Sequence, residues 1–251
     1  MLQRMKKQWT KRDVLEAALL TLSVLSITLA FFLQEGEKNA LSLIASLCGT
    51  VGVLFVAKGM ILGQYVCFVY ALLYTALSFF NAYYGECLLA ILTMVPSSLF
   101  AIFTWLKHPA KERGKVKINR LGRKEIIALG TAVVLLTVGA YFLLRALHTA
   151  QLEVSTLSVV TSLGAAYLLI RRSRFYAVFY ILNDLVLIVL WILALWKGES
   201  VLPSVISFFV FLINDFYGLY DWSRRAKIQE AEEERNKGAN EEEKNAEEKE
   251  V

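Results

Sequence analysis

The stretch FYAVFYILNDLVLIVLWILALW, residues 175–196, is apolar apart from its tyrosines and an adjacent Asn183 and Asp184 near its centre. A helix needs about 20 residues to cross the roughly 30 Å hydrocarbon core of a bilayer. Inside lipid, every backbone polar group must be satisfied within the protein, and a helix does this within one segment. The stretch therefore predicts a transmembrane helix that carries two polar side chains near the middle of the membrane.

Seven further runs have similar length and character, and the chain of 251 residues is 57% hydrophobic with a mean hydropathy of +0.51. Soluble domains are usually about 45–50% apolar. The runs predict an all-α integral membrane protein with about eight transmembrane helices, named helix one to helix eight. They lie near residues 14–33, 40–57, 61–80, 87–106, 126–144, 152–170, 175–196 and 200–220.

Lysine and arginine are concentrated in every second connection of this scheme. Near the membrane, 20 of them lie on the side of the N-terminus and three on the opposite side. Short loops rich in Lys and Arg stay in the cytoplasm, so we expect a cell-membrane protein with both termini cytoplasmic. The formal charge of +5 includes a tail, residues 223–251, with ten Glu against seven Lys or Arg. The positive excess therefore reflects membrane topology, and we expect no nucleic-acid partner.

The runs and charges divide the chain into seven segments. The first run is longer than the apolar core of a signal peptide, so we expect it to remain as an extra transmembrane helix. The tail is too polar to build a core, so we expect it to be disordered or a loose, solvated helix. The segments are a cytoplasmic N-terminus (1–13), the extra helix (14–33), a first three-helix repeat (40–106), a basic cytoplasmic loop (107–125), a linker helix (126–144), a second three-helix repeat (152–222) and the charged cytoplasmic tail (223–251).

An internal repeat supports this division. LSLIASLC at 41–48 in helix two resembles LSVVTSLG at 157–164 in helix six, 116 residues further on. Equivalent helices then cross in the same direction, which predicts a parallel repeat with a binding site at mid-membrane between the halves. This pattern favours a transporter over a receptor or a structural subunit. Two further pairs occur in the same order in helices four and eight: Gly85-Glu86 with Gly198-Glu199, and Trp105 with Trp222.

Helical spacing places polar and aromatic residues on one side of helix seven: Tyr176, Tyr180, Asn183 and Asp184. Such a stripe can stack a flat ring and bond its hydroxyl or amide groups. An ionised Asp184 at this depth would cost on the order of 3 kcal/mol, so it should face the bundle. The alternative for these residues is a hydrogen bond that packs two helices.

Two more helices carry candidates of the same kind. Asn214 and Asp215 in helix eight echo the pair in helix seven, with an inner-gate contact or pairing with nearby basic residues as the alternative. Tyr70 and Tyr74 in helix three follow helical spacing. The small residues of helices two and six favour close helix packing, and we expect the two tryptophans to anchor at the membrane interface.

The stretch YGLYDW at 217–222, Asn183 and the aromatic segment after Arg171-Arg172 resemble the Pnu-type vitamin transporter family. Its best-known members carry nicotinamide riboside, a precursor of NAD, and its architecture is similar to that of SWEET-type carriers, with three helices, a linker helix and three helices. The resemblance implies facilitated diffusion of an uncharged vitamin and trapping by cytoplasmic phosphorylation. Where the nicotinamide riboside carriers of this family have W-x-x-W before the asparagine of helix seven, this chain has Tyr176 and Phe179. Other relatives in the family carry thiamine, riboflavin or deoxynucleosides.

We therefore expect a uniporter for nicotinamide riboside or a related vitamin that works by alternating access. Proton coupling through Asp184 is the competing mechanism, and a non-transporting receptor or structural subunit is the lower alternative. The chain has no phosphate-binding loop and no zinc or serine-hydrolase motif, so we expect neither an enzyme nor a cofactor. The expected partners are the small-molecule substrate, the lipid bilayer and, in a homo-oligomer, further copies of the chain.

Overall fold

The computed structural model describes residues 10–33, 40–80, 90–112, 114–146, 152–196 and 202–247. These residues form helices and no strand, apart from two isolated bridges, and this confirms the all-α class. The helices are α1 (Lys11–Leu33), α2 (Ala40–Ala57), α3 (Ile61–Phe80), α4 (a π-helical turn, Ala90–Met94, continued by Val95–Leu106), α5 (Arg123–Ala146), α6 (Leu152–Ile170), α7 (Tyr176–Trp196) and α8 (Leu202–Glu247).

The outer surface of the bundle is apolar. Leu22, Leu135 and Phe142 are each more than 60% exposed, and none of the residues of α5 is buried. Among the described helices, α1, α2, α5 and α6 are long and apolar enough to cross a membrane, while α3, α4 and α7 contain shorter apolar segments. An apolar surface of this extent suits contact with lipid and not with water. The chain is a multi-pass membrane protein.

The first helix is docked on the bundle by charge. Glu16 is only 7% exposed, and its carboxylate accepts a hydrogen bond from the Tyr217 hydroxyl at 2.6 Å. The same carboxylate pairs with Lys58 at 2.7 Å and with Arg12 at 2.9 Å. Since Lys58 follows α2 and Tyr217 lies on α8, Glu16 links α1 to both of the helices that it packs against.

Trp105 and Trp222 are not interface anchors, contrary to our expectation. Both are fully buried, and their ring centroids are 5.6 Å apart. The indole N–H of Trp105 donates to the carbonyl of Leu169 on α6, and that of Trp222 donates to the carbonyl of Val56 on α2, each at 3.1 Å. A buried indole N–H needs an acceptor, and the carbonyls near the ends of α2 and α6 supply it inside the bundle.

The turns after α2 and α6 have the same construction. In each, the second residue past the helix, Gly59 or Arg172, has a positive φ, 65° or 59°. The backbone hydrogen bonds of the two turns also correspond one for one, at a separation of 113 residues. This separation differs from the 116 residues of the sequence match by close to one helical turn. A shift of three or four residues keeps a side chain on the same helix face. The small residues of α2 and α6 can therefore be aligned at a separation of either 113 or 116 residues.

The charged tail is helical as far as Glu247, where we expected disorder or a loose helix. Glu, Lys, Gln and Arg favour helices, and the tail extends a helix that is already nucleated. Gln229 bonds both the N–H and the carbonyl of Ile118, at 3.0 and 3.4 Å. Three ion pairs also join the tail to the loop between α4 and α5: Glu230 with Arg120, Glu232 with Lys111 and Glu233 with Lys117.

A chain that ends at Lys227 should be less stable than one that ends at Asn236. The shorter chain loses both hydrogen bonds of Gln229, which contribute about 1–3 kcal/mol together, whereas the longer chain keeps them. Thermal unfolding in detergent measures the difference. Equal melting temperatures for the two chains would show that the tail does not stabilise the loop.

The docking of the tail should also weaken in acid. Hydrogen bonds from Lys111 and Lys117 lower the pKa of Glu232 and Glu233 respectively. Their stabilisation is therefore fully present above the ordinary pKa of a glutamate and is lost as the pH falls through the lowered pKa values. The exchange rates of the backbone amides of residues 228–236, relative to the intrinsic rates at the same pH, should rise in acid. An unchanged protection factor would contradict the docking.

Each buried tryptophan should contribute measurably to stability. We expect Trp105→Phe and Trp222→Phe to lower the free energy of unfolding by about 1–3 kcal/mol, because each loses a buried hydrogen bond and part of a packed ring. Trp196→Phe is the matched control, since Trp196 is 78% exposed. Thermal unfolding of the three variants measures the effect. An equal loss of stability in all three would refute the interpretation that Trp105 and Trp222 form a buried pair.

Candidate binding site

The polar residues of α7 and α8 meet inside the bundle. Asp184 is 4% exposed, Asp215 is 5% exposed and Asn214 is fully buried. The carboxyl groups of Asp184 and Asp215 lie within hydrogen-bonding reach of each other. Tyr180 is close enough to interact electrostatically with both carboxyl groups. We call Asp184, Asp215, Asn214 and Tyr180 the central polar group.

The third helix contributes to the same region. Cys67 on α3 is within electrostatic range of Tyr180. Gln64 precedes it by three residues, so the two share a face of α3. Gln64 is 1% exposed. The sequence alone did not select Gln64, because a glutamine near the start of a helix carries no distinctive signal.

Several of these buried polar atoms lack a hydrogen-bond partner within the part of the chain that the structure describes. They are the side-chain nitrogen of Gln64, both polar atoms of Asn214, one oxygen of Asp184 and the hydroxyl of Tyr176. Each unsatisfied buried group costs about 1–3 kcal/mol, and such groups are few in native proteins. Their concentration here indicates a site that the polar atoms of a ligand could satisfy.

The two aspartates form an acidic pair. Two carboxyl groups can bond each other only when one of them carries a proton. Within the described residues, no lysine or arginine forms an ion pair with either aspartate. At least one of these two buried side chains is therefore protonated while the bond is made.

Asn183 differs from Asn214 because its oxygen is saturated. The hydroxyl of Ser162 donates to Asn183 Oδ1 at 2.9 Å, while those of Thr161 and Ser158 lie 2.9 and 3.4 Å from the same oxygen. The Thr161 hydroxyl also lies 2.8 Å from the carbonyl of Leu157, which competes for its single proton. The small residues of α6, which the sequence assigned to packing, thus also hold this amide. The arrangement orients the Asn183 amide and leaves its nitrogen for another acceptor.

The aromatic candidates of α7 take different places. Tyr176 packs on Trp222 with ring centroids 4.7 Å apart, and it is 6.0 Å from Tyr180. Phe179 instead lies against Gly164 of α6, where an added Cβ would come within 2.6 Å of its ring. The structure therefore joins Tyr176 and Tyr180 to the central polar group and places Phe179 in the α6–α7 interface.

The first-half tyrosines pair along α3. Tyr70 and Tyr74 have ring centroids 5.9 Å apart, and both are half-buried. The ring of Tyr70 lies 3.1 Å from the position of a Cβ built on Gly49 of α2. At the 113-residue separation of the turns, Tyr70 and Gly49 correspond to Asn183 and Ser162, which contact each other in the second half. Gly85 and Gly198, the other repeat markers, lie outside the described residues.

Below the central polar group, the end of the bundle that carries the basic loop between α4 and α5 is closed. Trp105, Trp222 and Tyr176 form a buried layer. Beyond it, Asp221 bonds Arg225 at 3.0 Å, and the guanidinium of Arg225 reaches the carbonyl of Val116 at 3.4 Å. A ligand at the central polar group would therefore be separated from this end of the bundle by an aromatic layer and an ionic layer.

The two asparagines should respond oppositely to apolar substitution. Asn183→Leu should lower the free energy of unfolding by about 1–3 kcal/mol, because it strands the hydroxyls of α6. Asn214→Leu and Gln64→Met should leave stability unchanged or raised, because they remove polar groups that have no partner. Denaturant titration in detergent measures the order, and a large loss for Asn214→Leu would show that its amide is already satisfied.

Comparisons with known proteins agree with this architecture. The family model described as nicotinamide mononucleotide transporter matches residues 39–224. The nicotinamide riboside transporter PnuC of Neisseria mucosa is 29% identical over 89% of this chain and 88% of its own length. That of Haemophilus influenzae is 24% identical over 74% of this chain and 80% of its own.

A solved structure has the same fold. The crystal structure of the vitamin B3 transporter PnuC aligns with a TM-score of 0.74 and 28% identity, covering 88% of this chain and 94% of that chain. The match confirms the resemblance found in the sequence and agrees with the expectation of a transporter, not an enzyme. Because the family model covers most of the chain, the protein belongs to the nicotinamide mononucleotide transporter family.

Proposed function

We propose that this chain carries nicotinamide riboside across the cell membrane by facilitated diffusion. The names of the two PnuC relatives support this substrate. The observation that carries the proposal is a set of buried polar groups on three helices, namely the unsatisfied amide atoms of Gln64 on α3 and Asn214 on α8 together with the acidic pair and Tyr180. This set can bond an amide and a ribose, stack a ring and accept positive charge.

Charge favours the riboside over the mononucleotide named in the family description. Nicotinamide riboside is a pyridinium cation, and not the uncharged vitamin that the resemblance implied. The acidic pair of Asp184 and Asp215 attracts a cation, and the face of Tyr180 contributes a cation–π interaction. The phosphate of the mononucleotide would instead bring negative charge next to two carboxyl groups.

Each candidate residue has a role in this proposal. Tyr180, with Tyr70 and Tyr74 from the first half, stacks the ring. The amides of Asn183 and Asn214 bond the carboxamide and the ribose hydroxyls, and Asp184 and Asp215 supply the charge. The hydroxyl of Tyr176, in the aromatic layer, forms a hydrogen bond with the ligand. Phe179 packs between α7 and α6 and sets the distance between the two helices.

Alternating access would move the two halves about the central polar group. The proposed architecture has eight membrane spans, with the extra helix before a 3+1+3 repeat and both termini in the cytoplasm. The corresponding turns of α2 and α6 and the reciprocal bonds of Trp105 and Trp222 support the repeat. Opening to the cytoplasm would separate the aromatic and ionic layers. Association into a homo-oligomer stays a prediction.

Ligand binding to the purified protein tests the substrate. A ligand that binds the native state raises its stability, by about 2.7 kcal/mol at 100 times the dissociation constant. We expect a rise in melting temperature with nicotinamide riboside and none with the mononucleotide. Asn214→Ala should abolish the shift, and Tyr65→Phe on the exposed face of α3 should preserve it.

Other outcomes would change the proposal in defined ways. A shift with thiamine, riboflavin or a deoxynucleoside alone would replace the substrate and keep the carrier. Uptake into vesicles that is accelerated by an inward proton gradient would replace the uniporter with proton coupling. Normal transport by both Asn183→Ala and Asn214→Ala at wild-type expression would refute the site assignment.

A further inference from the structure

One face of α8 changes from apolar to basic along its length. Phe209, Ile213, Phe216 and Tyr220 are each between 47% and 60% exposed and recur at steps of four, three and four residues. Such steps place them in one stripe. At 1.5 Å per residue the stripe is about 16 Å long, close to half of the roughly 30 Å hydrocarbon core. It therefore spans about one leaflet of the bilayer.

The stripe leads into a concave, basic end. Helical spacing continues it to Ser223, Arg224 and Lys227. With Phe216, Leu219 and Tyr220, these residues line a groove of about 400 Å³ on the outside of the bundle. The groove is thus apolar along the helix and polar where the helix leaves the membrane.

The cations of this groove are available to a ligand. Among the described residues, Lys227 forms no ion pair, whereas Lys111, Lys117 and Arg120 are each paired with a glutamate of the tail. Arg224 makes a long contact of 3.4 Å to Asp221, and its Nε has no partner in the described part of the chain. Asp221 itself is 1% exposed and is bonded to Arg225 at 3.0 Å.

We propose that this groove on α8 is a binding site for one anionic phospholipid. The phosphate lies against Arg224, Lys227 and the Ser223 hydroxyl, and an acyl chain follows the stripe towards Phe209. The groove is lined by two cations and no carboxylate. By contrast, a cavity of about 250 Å³ beside α1 is lined by Asp13, Glu16 and Lys58, which does not suit an anion.

Lipid titration of the full chain tests the site. The protein is purified in a neutral detergent, and native mass spectrometry measures the binding of the first phosphatidylglycerol and the first phosphatidylcholine molecule. We expect phosphatidylglycerol to bind more tightly. The double variant Arg224→Gln/Lys227→Gln should weaken that binding about 10- to 30-fold, because two basic contacts to an anionic headgroup are lost.

A matched variant separates the site from general charge. Arg123→Gln/Lys124→Gln removes the same charge from exposed residues at the start of α5. It should change the binding of phosphatidylglycerol less than twofold, by the additivity of distant sites. An equal loss in both variants, equal binding of the two lipids, or complete displacement by millimolar inorganic phosphate would each overturn the proposal. Because the readout is lipid binding, it stands independently of the transported substrate.

Discussion

The closed end of this protein depends on two indole–carbonyl hydrogen bonds, one from α4 to α6 and one from α8 to α2. Trp105 at the end of α4 donates to α6, and Trp222 on α8 donates to α2. Carbonyls in the last turn of a helix have spare acceptor capacity, and a hydrogen bond in a low-dielectric interior is strong. Because α4 and α8 supply the donors and α2 and α6 supply the acceptors, these parts of the four helices are held at one level. Tyr176 packs on this layer, and its place determines how deep Tyr180 and Asp184 lie along α7.

The distinction between packing and binding residues follows from hydrogen-bond satisfaction. Asn183 and Asn214 have the same side chain and similar burial, yet three hydroxyls surround the oxygen of Asn183 and no described partner reaches Asn214. A saturated amide contributes to helix association. An unsatisfied one is a cost to the fold that is reasonable only where another molecule supplies the missing partner. The amide of Asn183 is thus held in place by α6, whereas the amide of Asn214 has polar atoms that a ligand could satisfy.

Ion pairs organise the closed end of the bundle in a different manner. Glu16 pairs with Arg12 and Lys58, and Asp221 pairs with Arg225. Arg225 also reaches the loop between α4 and α5 at the carbonyl of Val116. These contacts link α1, the turn after α2, the loop and α8. In the turn after α2, the guanidinium of Arg225 fills the space that a side chain would occupy at Gly59. Helix α1 is in this way connected to the turn after α2 and to α8. Burial of Glu16 is tolerated because three donors compensate it.

The sequence by itself determined the fold class, the positions of the helices and the family. Hydrophobic runs of membrane length and paired polar residues are local patterns, and one chain displays them fully. It also selected Asn183, Asp184, Asn214 and Asp215, since strongly polar residues are rare in apolar runs. The proposed topology, drawn from charge, rests on the same kind of local pattern.

Only the tertiary structure decided which neighbour each side chain meets. It buried Trp105 and Trp222, turned Phe179 towards α6, added Gln64 to the site and shifted the repeat register by about one turn. The charged tail became helical and docked because Gln229 found the backbone of Ile118, 111 residues away. Helical periodicity states which residues share a face, but it does not state what that face contacts. Contacts between residues far apart in the chain arise from packing, and packing alone distinguishes a satisfied polar group from an unsatisfied one.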